Sequence, residues 1–191
     1  MYKNTLRPAL SLLVLLTLLL GLGYPALITG IARIAFPDAA AGSLLYRDGK
    51  LVGSRLIGQS FTEPRYFWGR PSATTPQAYN ALASTGSNLG PLNPALIDQV
   101  KANATALRAA DPQQRTQVPV ELVTTSASGL DPDISPAAAQ WQAPRVAQAR
   151  GLALADVQAL IAAHTQGPVL GLYGEARVNV LELNLALDAP R

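Results

Sequence analysis

Hydrophobic residues dominate one long run near the N-terminus, from Ala9 to Ala32, in which no charged residue occurs. At about 1.5 Å per helical residue, a run of this length can cross a hydrocarbon core of about 30 Å. The pattern therefore predicts a single transmembrane helix over residues 10–32. Pro25 lies late in this helix, where its missing N–H and its ring are expected to bend it.

The same run has a second interpretation, a cleaved secretory signal peptide. The three alanines at 39–41 offer a cleavage site of the small-residue type. A signal peptide, however, usually has a hydrophobic region of about 7–15 residues. Because this run is much longer, an uncleaved membrane anchor is the favoured interpretation.

Charges on the two sides of the run predict its orientation. Lys3 and Arg7 precede it, whereas Arg33 and Asp38 follow it and nearly cancel. Positive residues flank membrane helices mainly on the cytoplasmic side. We therefore predict that the N-terminus is cytoplasmic and that the chain after the helix lies outside, which in a bacterium is the periplasm.

The first element predicted beyond the anchor is a β-hairpin. Two apolar runs flank Asp48-Gly49. This dipeptide suits a type I′ turn, which needs positive φ at both central residues. The predicted strands cover residues 43–47 and 50–59.

Three helices are predicted from their capping residues and from the spacing of their apolar positions. Asn93 and Ser135 are good N-caps, and each is followed by proline, which suits the first helical position. Gly151 is expected to stop the second helix. The predicted helices are 93–111, 135–151 with an interruption at Pro144, and 154–164.

Two further segments are predicted as β-structure, which makes the fold α+β. Residues 118–128 are interpreted as a strand followed by a loop. Residues 177–187 place their apolar positions irregularly, and a strand is the favoured interpretation. The predicted organisation is a cytoplasmic N-terminus at 1–9, a transmembrane helix at 10–32, a linker at 33–42 and a small soluble, extracytoplasmic α+β domain at 43–191.

Composition narrows the range of functions. Charged residues make up 14% of the chain, against roughly 25% in typical soluble proteins. The net charge of +3 is not gathered into a basic block, so nucleic-acid binding is not predicted. The absence of cysteine excludes disulfides, zinc-thiolate sites, iron–sulfur clusters and a thiol nucleophile.

The segment "GSRLIGQS" at 53–60 resembles a phosphate-binding loop in its spacing. Gly53 and Ser60 occupy matching positions, but Gln59 replaces the lysine that contacts the β- and γ-phosphates. These three residues are a weak candidate for nucleotide binding. The alternative is a strand with two glycines at a bend or a close approach.

Two other motifs fall short of catalysis or metal binding. "DPDIS" at 131–135 imitates half of a calcium loop but lacks the glycine and the final glutamate, so a turn that caps the next helix is favoured. His164 is the only histidine, and a helix C-terminus favours such a side chain. We predict no catalytic residue and no metal site.

The stretch from 63 to 94, "EPRYFWGRPSATTPQAYNALASTGSNLGPLNP", follows neither a helical nor a strand period. It is rich in aromatic residues, Arg, Asn and Gly. Loops held on rigid scaffolds often carry function. Without a catalytic constellation elsewhere, the stretch is interpreted as a surface for a partner protein.

Several motifs together resemble the C subunit of the Kdp potassium-transporting P-type ATPase of bacteria. They are "LRPAL", "YPALITG", "FTEPRYFWGRPSAT", "YNALASTGSNLGP", "SGLDPDISPAAA", "PRVAQARGL", "HTQG" and "RVNVLELNLAL". The resemblance covers essentially the entire chain.

This resemblance implies a non-catalytic, single-pass subunit of a high-affinity potassium uptake complex in the bacterial inner membrane. Its partners would be a potassium-translocating subunit, an ATP-hydrolysing P-type subunit and a small accessory subunit, with membrane lipid around the helix. The family is also described as a catalytic chaperone that raises the ATP affinity of the P-type subunit. ATP chemistry belongs to that subunit, so no tightly bound cofactor is expected, and ATP is expected only through the partner.

The predicted topology bears on that chaperone role, because ATP is cytoplasmic and the charge pattern predicts that the domain lies outside. The resemblance implies a place near the potassium entrance. An effect on ATP affinity would then be indirect and conformational. The alternative is a nucleotide-binding chaperone that acts directly on the cytoplasmic side.

Residue types within the 63–94 stretch suggest which side chains contact a partner. Aromatic residues and Arg are enriched at binding hot spots. The alternative is that Phe67 and Trp68 pack into the core of the domain itself. The predicted partner-binding residues are Tyr66, Phe67, Trp68, Arg70, Tyr79, Asn80 and Asn88.

Overall fold

The computed structural model describes the backbone of residues 3–189 and the side chains of residues 5–189. The chain forms two compact units, which divide between Leu44 and Leu45. The architecture is α+β with one long N-terminal helix, which confirms the predicted fold class.

The N-terminal unit is a long helix with a change of register in its middle. Helix α1 (Lys3–Leu16) continues through π-helical turns (Thr17–Gly23) into α2 (Tyr24–Ala35). The stretch Thr5–Ala35 is long and apolar enough to cross a membrane. The amide of Tyr24 donates to the carbonyl of Leu19, five residues earlier. The irregular turns thus end directly before Pro25, the residue at which the sequence predicted a distortion.

A short helical turn, α3 (Pro37–Ala40), follows the long helix, and the second unit opens with a β-hairpin. Strands β1 (Leu44–Arg47) and β2 (Lys50–Ser54) flank Asp48 and Gly49, whose φ angles are 50° and 74°. The predicted type I′ turn is therefore confirmed.

The second strand ends at Ser54, so its predicted extension to residue 59 is wrong. The chain turns there, because the amide of Ile57 donates back to the carbonyl of Ser54. The amide of Gly58 then donates to the carbonyl of Leu130 at 2.8 Å. Long-range packing rather than strand pairing therefore determines the backbone conformation of residues 55–59.

Helix α4 (Pro94–Ala110) confirms the first predicted helix of the domain. The side chain of Asn93 accepts a hydrogen bond from the amide of Ala95 at 3.0 Å, as expected of an N-cap. Leu107 is buried, and Val100 packs partly buried against the core.

The predicted strand within 118–128 is wrong, since residues Val120–Leu122 form a turn of 3-10 helix. The hydroxyl of Thr124 donates to the carbonyl of Val120 at 2.8 Å and closes this turn. The carboxylate of Glu121 accepts the amide of Ser135 at 3.1 Å. Polar side chains therefore satisfy backbone groups that a strand would have paired.

Helix α5 (Pro136–Arg150) begins and ends as predicted. The hydroxyl of Ser135 accepts from the amide of Ala138 at 3.1 Å, and Gly151 caps the far end with φ at 64°. Pro144 lies inside the continuous helix, so the predicted interruption is wrong. Pro144 and Gln140 are both exposed, and the carbonyl that loses its helical donor lies on the side of the helix that water reaches.

Helix α6 (Leu154–Ala163) confirms the third predicted helix, with Val157 and Ile161 buried. The ring Nδ1 of His164 lies 3.0 Å from the carbonyl oxygen of Leu160, which confirms its position as a C-terminal cap. The side chain of this histidine therefore caps the C-terminal end of α6.

Besides the two-stranded hairpin, three short antiparallel strands form a second sheet, the central sheet of the domain. Strand β5 (Arg177–Asn179) lies between β3 (Asp133–Ile134) and β4 (Thr165–Gln166). Ile134 and Thr165 are both paired with Val178, which is fully buried.

The predicted strand over 177–187 is wrong beyond Asn179, because α7 (Val180–Leu187) follows. The side chain of Asn179 accepts from the amide of Glu182 at 3.1 Å. An N-cap followed three residues later by Glu is a recognisable helix start. The apparent irregularity is a helical period, since Val180, Leu183 and Leu187 are all buried.

The core lies where α5, α6, α7 and the sheet meet. Its members include fully buried side chains from each of these elements and one from the long loop after the hairpin. They include Phe67, Ile134, Val146, Val157, Ile161, Val178 and Leu183.

Candidate functional site

The backbone of the long loop is held by two buried side chains from distant helices. Asn184 of α7 accepts from the amide of Phe67 at 2.8 Å and donates to its carbonyl at 2.9 Å. Gln142 of α5 does the same for Trp68, at 2.9 and 3.0 Å. Both amides are 2% exposed or less. They satisfy the backbone N–H and C=O groups of Phe67 and Trp68, which belong to no strand.

Arg145 also binds this part of the loop, through the backbone of Tyr66 and the ring of Trp68. Its guanidinium donates to the carbonyl of Tyr66 at 3.0 Å and to the Gln142 amide oxygen at 2.7 Å. It also lies 4.4 Å from the centroid of the Trp68 ring, which is cation–π geometry. Burial lowers the pKa of Arg145 to about 10, and the group still carries its charge at neutral pH.

A charged cluster surrounds Asp188, just after α7. Arg150 donates to one carboxylate oxygen at 2.7 Å, and the hydroxyl of Tyr66 donates to the other at 2.9 Å. Arg47 of the hairpin lies 3.3 Å away and Arg65 3.5 Å away. Partial burial by itself raises the pKa of Asp188, but the hydrogen bonds from Arg150 and Tyr66 bring it below its ordinary value. The hydrogen bond to Asp188 raises the pKa of Tyr66.

Arg70 and Tyr79 form a second cluster. The guanidinium of Arg70 pairs with Asp131 at 3.1 Å and donates to the carbonyl of Thr125 at 3.2 Å. The hydroxyl of Tyr79 donates to the carbonyl of Arg70. Burial raises the pKa of Tyr79 to about 12, so the phenol stays protonated as a donor.

The ring of Tyr79 packs directly against Gly58, and this contact explains why the position is a glycine. A Cβ at Gly58 would overlap the Tyr79 ring and would lie 2.7 Å from the carbonyl oxygen of Asp131. Only glycine permits this close approach. Gly58 is therefore needed for the packing of the loop.

The seven predicted partner-binding residues are not gathered on one surface. Phe67 is fully buried in the core, so the partner-contact role predicted for it is wrong, and the core-packing alternative holds for this residue. Asn80 accepts from the amide of Leu82 at 3.1 Å and donates to the carbonyl of Thr75 at 3.0 Å. Asn88 is exposed.

Three of the remaining residues do meet. Trp68, Arg70 and Tyr79 line one cleft of about 290 Å³, together with Asn103 and Leu107 of α4. The three are half-buried and leave part of their surface accessible to another molecule. Tyr66, Asn80 and Asn88 lie outside this cleft, and their contact with a partner stays a prediction.

Two of the three candidate nucleotide residues, Gly53 and Gln59, pack against each other, and together with Ser60 they line an open cleft. A Cβ at Gly53 would overlap the amide of Gln59. That amide donates to the carbonyl of Val52 at 2.8 Å. A phosphate-binding loop leads directly into a helix N-terminus, whereas the chain after Ser60 remains irregular as far as the 3-10 turn Ala81–Ala83. The glycine spacing is thus explained by close packing.

The segment at 131–135 is a turn and a cap, as predicted. Asp131 accepts from the amide of Asp133 at 3.0 Å, and Ser135 caps α5. The carboxylate of Asp133 pairs with Arg177 at 3.2 Å and accepts from Asn179 at 3.1 Å. Burial raises the pKa of Asp133. Within residues 5–189, no group of three or more acidic or histidine side chains is arranged to hold a metal ion.

Sequence reasoning missed the residues that organise the loop. Gln142, Arg145 and Asn184 contact residues 74 to 117 positions away along the chain. The only local signal is a polar residue on an otherwise apolar helix face, which identifies no partner. Asp188 gave no signal at all, since carboxylates near a chain end are ordinary.

These features define a class of protein: one helix long and apolar enough to span a membrane, followed in sequence by a small α+β domain with an ordered loop. The chain belongs to the KdpC family, described as the c chain of the K⁺-transporting ATPase, whose family model matches residues 6–189. The resemblance stated from the sequence motifs is thereby confirmed.

Relatives in several bacteria carry the same description, potassium-transporting ATPase KdpC subunit. The protein of Polaromonas naphthalenivorans is 66% identical over 187 residues, which cover 98% of this chain and 95% of that protein. The protein of Variovorax paradoxus is 64% identical, with 98% and 97% covered. The protein of Methylococcus capsulatus is 57% identical over 188 residues, with 98% and 99% covered. The similarity thus extends over essentially the full length of each chain.

Proposed function

We propose that this chain is a non-catalytic subunit of a potassium uptake ATPase that stabilises the assembly and promotes ATP binding from the outer side. Family membership supports the accessory role in potassium uptake. The observation that supports action on the outer side of the membrane is the asymmetry of charge around the apolar helix. Lys3 and Arg7 precede the helix, and Arg33 and Asp38 nearly cancel after it. The helix then anchors the chain in the bacterial inner membrane with its domain in the periplasm.

Its partners in this proposal are the potassium-translocating subunit, the ATP-hydrolysing P-type subunit and a small accessory subunit. The domain acts near the external potassium entrance, and the cleft formed by Trp68, Arg70 and Tyr79 is one surface available for contact. Half-buried aromatic and Arg side chains of this kind are typical of binding hot spots. The ordered backbone beneath them reduces the entropy lost on binding.

Promotion of ATP binding is indirect in this proposal. ATP is cytoplasmic, whereas the domain lies outside, so the two sites are coupled through the conformation of the assembly. Such coupling is reciprocal: nucleotide also changes the affinity of the assembly for this chain. The packing of Gly53 against Gln59 supports this form over direct nucleotide contact.

Reporter fusion tests the orientation. We expect that a reporter active only in the periplasm, fused after residue 191, is active in cells. A matched reporter active only in the cytoplasm should be silent at the same position. The reverse result would place the domain in the cytoplasm and favour the direct nucleotide-binding chaperone.

ATP titration tests the indirect role. With this chain present, the purified assembly should reach half-maximal ATP hydrolysis at a lower ATP concentration than the assembly without it. The full-length chain alone should show no saturable heat of binding at millimolar ATP. Gln59→Ala serves as the control and should leave the ATP dependence of the assembly unchanged. Saturable binding to the chain alone, lost in Gln59→Ala, would instead establish direct contact.

A further inference from the structure

The connection between β4 and β5 exposes four large apolar side chains within five residues. We call Val169–Tyr173 the apolar tip. Val169 is 58% exposed, Leu170 85%, Leu172 79% and Tyr173 69%. Single exposed apolar residues are ordinary on a protein surface, but a contiguous group of this kind marks an interaction site.

The apolar tip is an ordered turn. The amide of Val169 donates to the carbonyl of Tyr173 at 2.8 Å, and the amide of Tyr173 donates back at 3.0 Å. The amide of Leu172 also donates to the carbonyl of Val169 at 3.1 Å. The side chains are therefore presented in a defined arrangement, which suits a preformed pocket better than a fluid surface.

Leu170 occupies a backbone conformation that does not suit leucine. Its φ is 55°, followed by Gly171 at 71°. This left-handed region is readily adopted by Gly and Asn and costs other residues roughly 1–2 kcal/mol. The leucine side chain offsets little of this cost by packing on its own domain, since it is 85% exposed. Leucine at this position is explained if another molecule covers it.

Charge distinguishes between the surfaces that could cover the apolar tip. The segment from Thr165 to Gly174 contains no charged residue, and the first one after it is Glu175. Arg177 is already paired with Asp133 at 3.2 Å. An anionic bilayer surface attracts Lys and Arg, and here the neighbouring charge has the opposite sign. The electrostatics therefore favour an uncharged protein pocket over lipid.

We propose that the apolar tip inserts into an apolar pocket on the outer surface of another subunit of the potassium-transporting assembly. This proposal rests on the proposed function, which places the domain outside and in a permanent complex. The family is described as the c chain of a K⁺-transporting ATPase, so other chains are available as lasting partners.

Photo-crosslinking in the whole assembly tests the identity of the partner. A photoreactive phenylalanine replaces Leu170 in one version and Val120, which is 72% exposed and lies outside the 63–94 stretch, in another. Irradiation of membranes should join position 170, but not position 120, to another subunit. Products with lipid or with a second copy of this chain, no product, or the same product from both positions would each overturn the proposal.

A pair of substitutions tests the contribution of the apolar tip to assembly. Asn tolerates the left-handed conformation, so Leu170→Asn removes the apolar side chain without straining the backbone. We expect recovery of this chain with the affinity-purified assembly to fall at least about tenfold in dilute detergent, as for the loss of one buried leucine. Val120→Asn, at an exposed apolar position outside the 63–94 stretch, should leave recovery unchanged.

The outcomes separate this proposal from the proposed function. Unchanged recovery of Leu170→Asn would overturn the role of the apolar tip while leaving the subunit role intact. Failure of the unaltered chain to purify with any other subunit would overturn both. The melting temperature of the full-length variant should equal or exceed that of the unaltered chain, because Asn relieves the left-handed strain of Leu170. A drop of several degrees would identify Leu170 as a folding residue instead.

Discussion

The loop around residues 61–80 and the apolar tip differ in whether their residue types indicate which side chains are exposed. The loop is rich in Trp, Tyr and Arg, the residue types of binding hot spots, yet Gln142 and Asn184 bind its backbone and Phe67 is buried. The apolar tip has ordinary composition, yet Leu170 and its neighbours are exposed.

This difference shows that residue type alone does not locate a binding surface. In the loop, each half-buried aromatic or Arg side chain already has contacts within the domain, such as Arg145 with Trp68. In the apolar tip, hydrogen bonds satisfy the backbone while the side chains have little contact with their own domain. Changes in the loop should therefore affect stability, whereas changes in the apolar tip should affect assembly.

Gln142→Leu should have the largest effect on stability. The substitution leaves the amide and carbonyl of Trp68 without partners, and each buried unsatisfied group costs about 1–3 kcal/mol. We expect a loss of about 2–5 kcal/mol and a melting temperature lower by roughly 10 °C, measured by calorimetry on the full-length protein. Gln148→Leu, on the exposed side of the same helix, is the matched control and should change stability by less than about 0.5 kcal/mol. Equal melting temperatures for the two variants would contradict the anchoring role of Gln142.

Gly58→Ala should have the next largest effect. The added methyl group meets the Tyr79 ring and the carbonyl of Asp131, and such overpacking costs about 1–3 kcal/mol. Gly90→Ala is the control, because a Cβ there has no neighbour within 4 Å. Urea unfolding monitored by circular dichroism compares the two. A Gly58→Ala midpoint no lower than that of Gly90→Ala would show that the loop yields and is not held rigidly.

The Asp188 cluster predicts a smaller, pH-dependent effect. The pKa of Asp188 is lowered in the folded state, so its contribution is complete above the unfolded pKa, about 4, and is lost as pH falls through the folded value. The cluster is partly exposed, so Asp188→Asn should cost about 1 kcal/mol at pH 7. The difference between the variant and the unaltered chain should shrink at pH 3 in urea unfolding. A difference that stays constant from pH 7 to pH 3 would contradict this account.

Much of the fold was predictable because its signals are local. The turn at Asp48-Gly49, the N-caps Asn93 and Ser135, and the C-cap Gly151 each act within a few residues, and the structure confirms them. The capping pattern of Asn179 and Glu182 is equally local, but the irregular alternation of apolar residues after it favoured a strand instead of the helix.

The remaining features depend on contacts that are distant in sequence. Pro144 is tolerated because it lies on the exposed side of α5. The segment at 118–128 forms a turn in which the Glu121 carboxylate accepts from the amide of Ser135. The candidate site depends on Gln142 and Asn184 meeting the loop across 74 and 117 residues. Local patterns predict caps and turns, but they do not predict which buried amide meets which backbone.

Leu170→Gly should have the smallest effect on stability and gives the sharpest contrast with the loop. Glycine removes the left-handed strain of about 1–2 kcal/mol but adds about 0.5–1 kcal/mol of chain entropy in the unfolded state. The lost side chain is 85% exposed and contributes little packing, so the net change should lie between zero and about 1.5 kcal/mol of stabilisation. Calorimetry on the full-length chain measures it, with Leu82→Gly as the exposed control. A clear loss of stability at position 170 would mean that the apolar tip packs on its own domain, and the distinction between the two regions would fail.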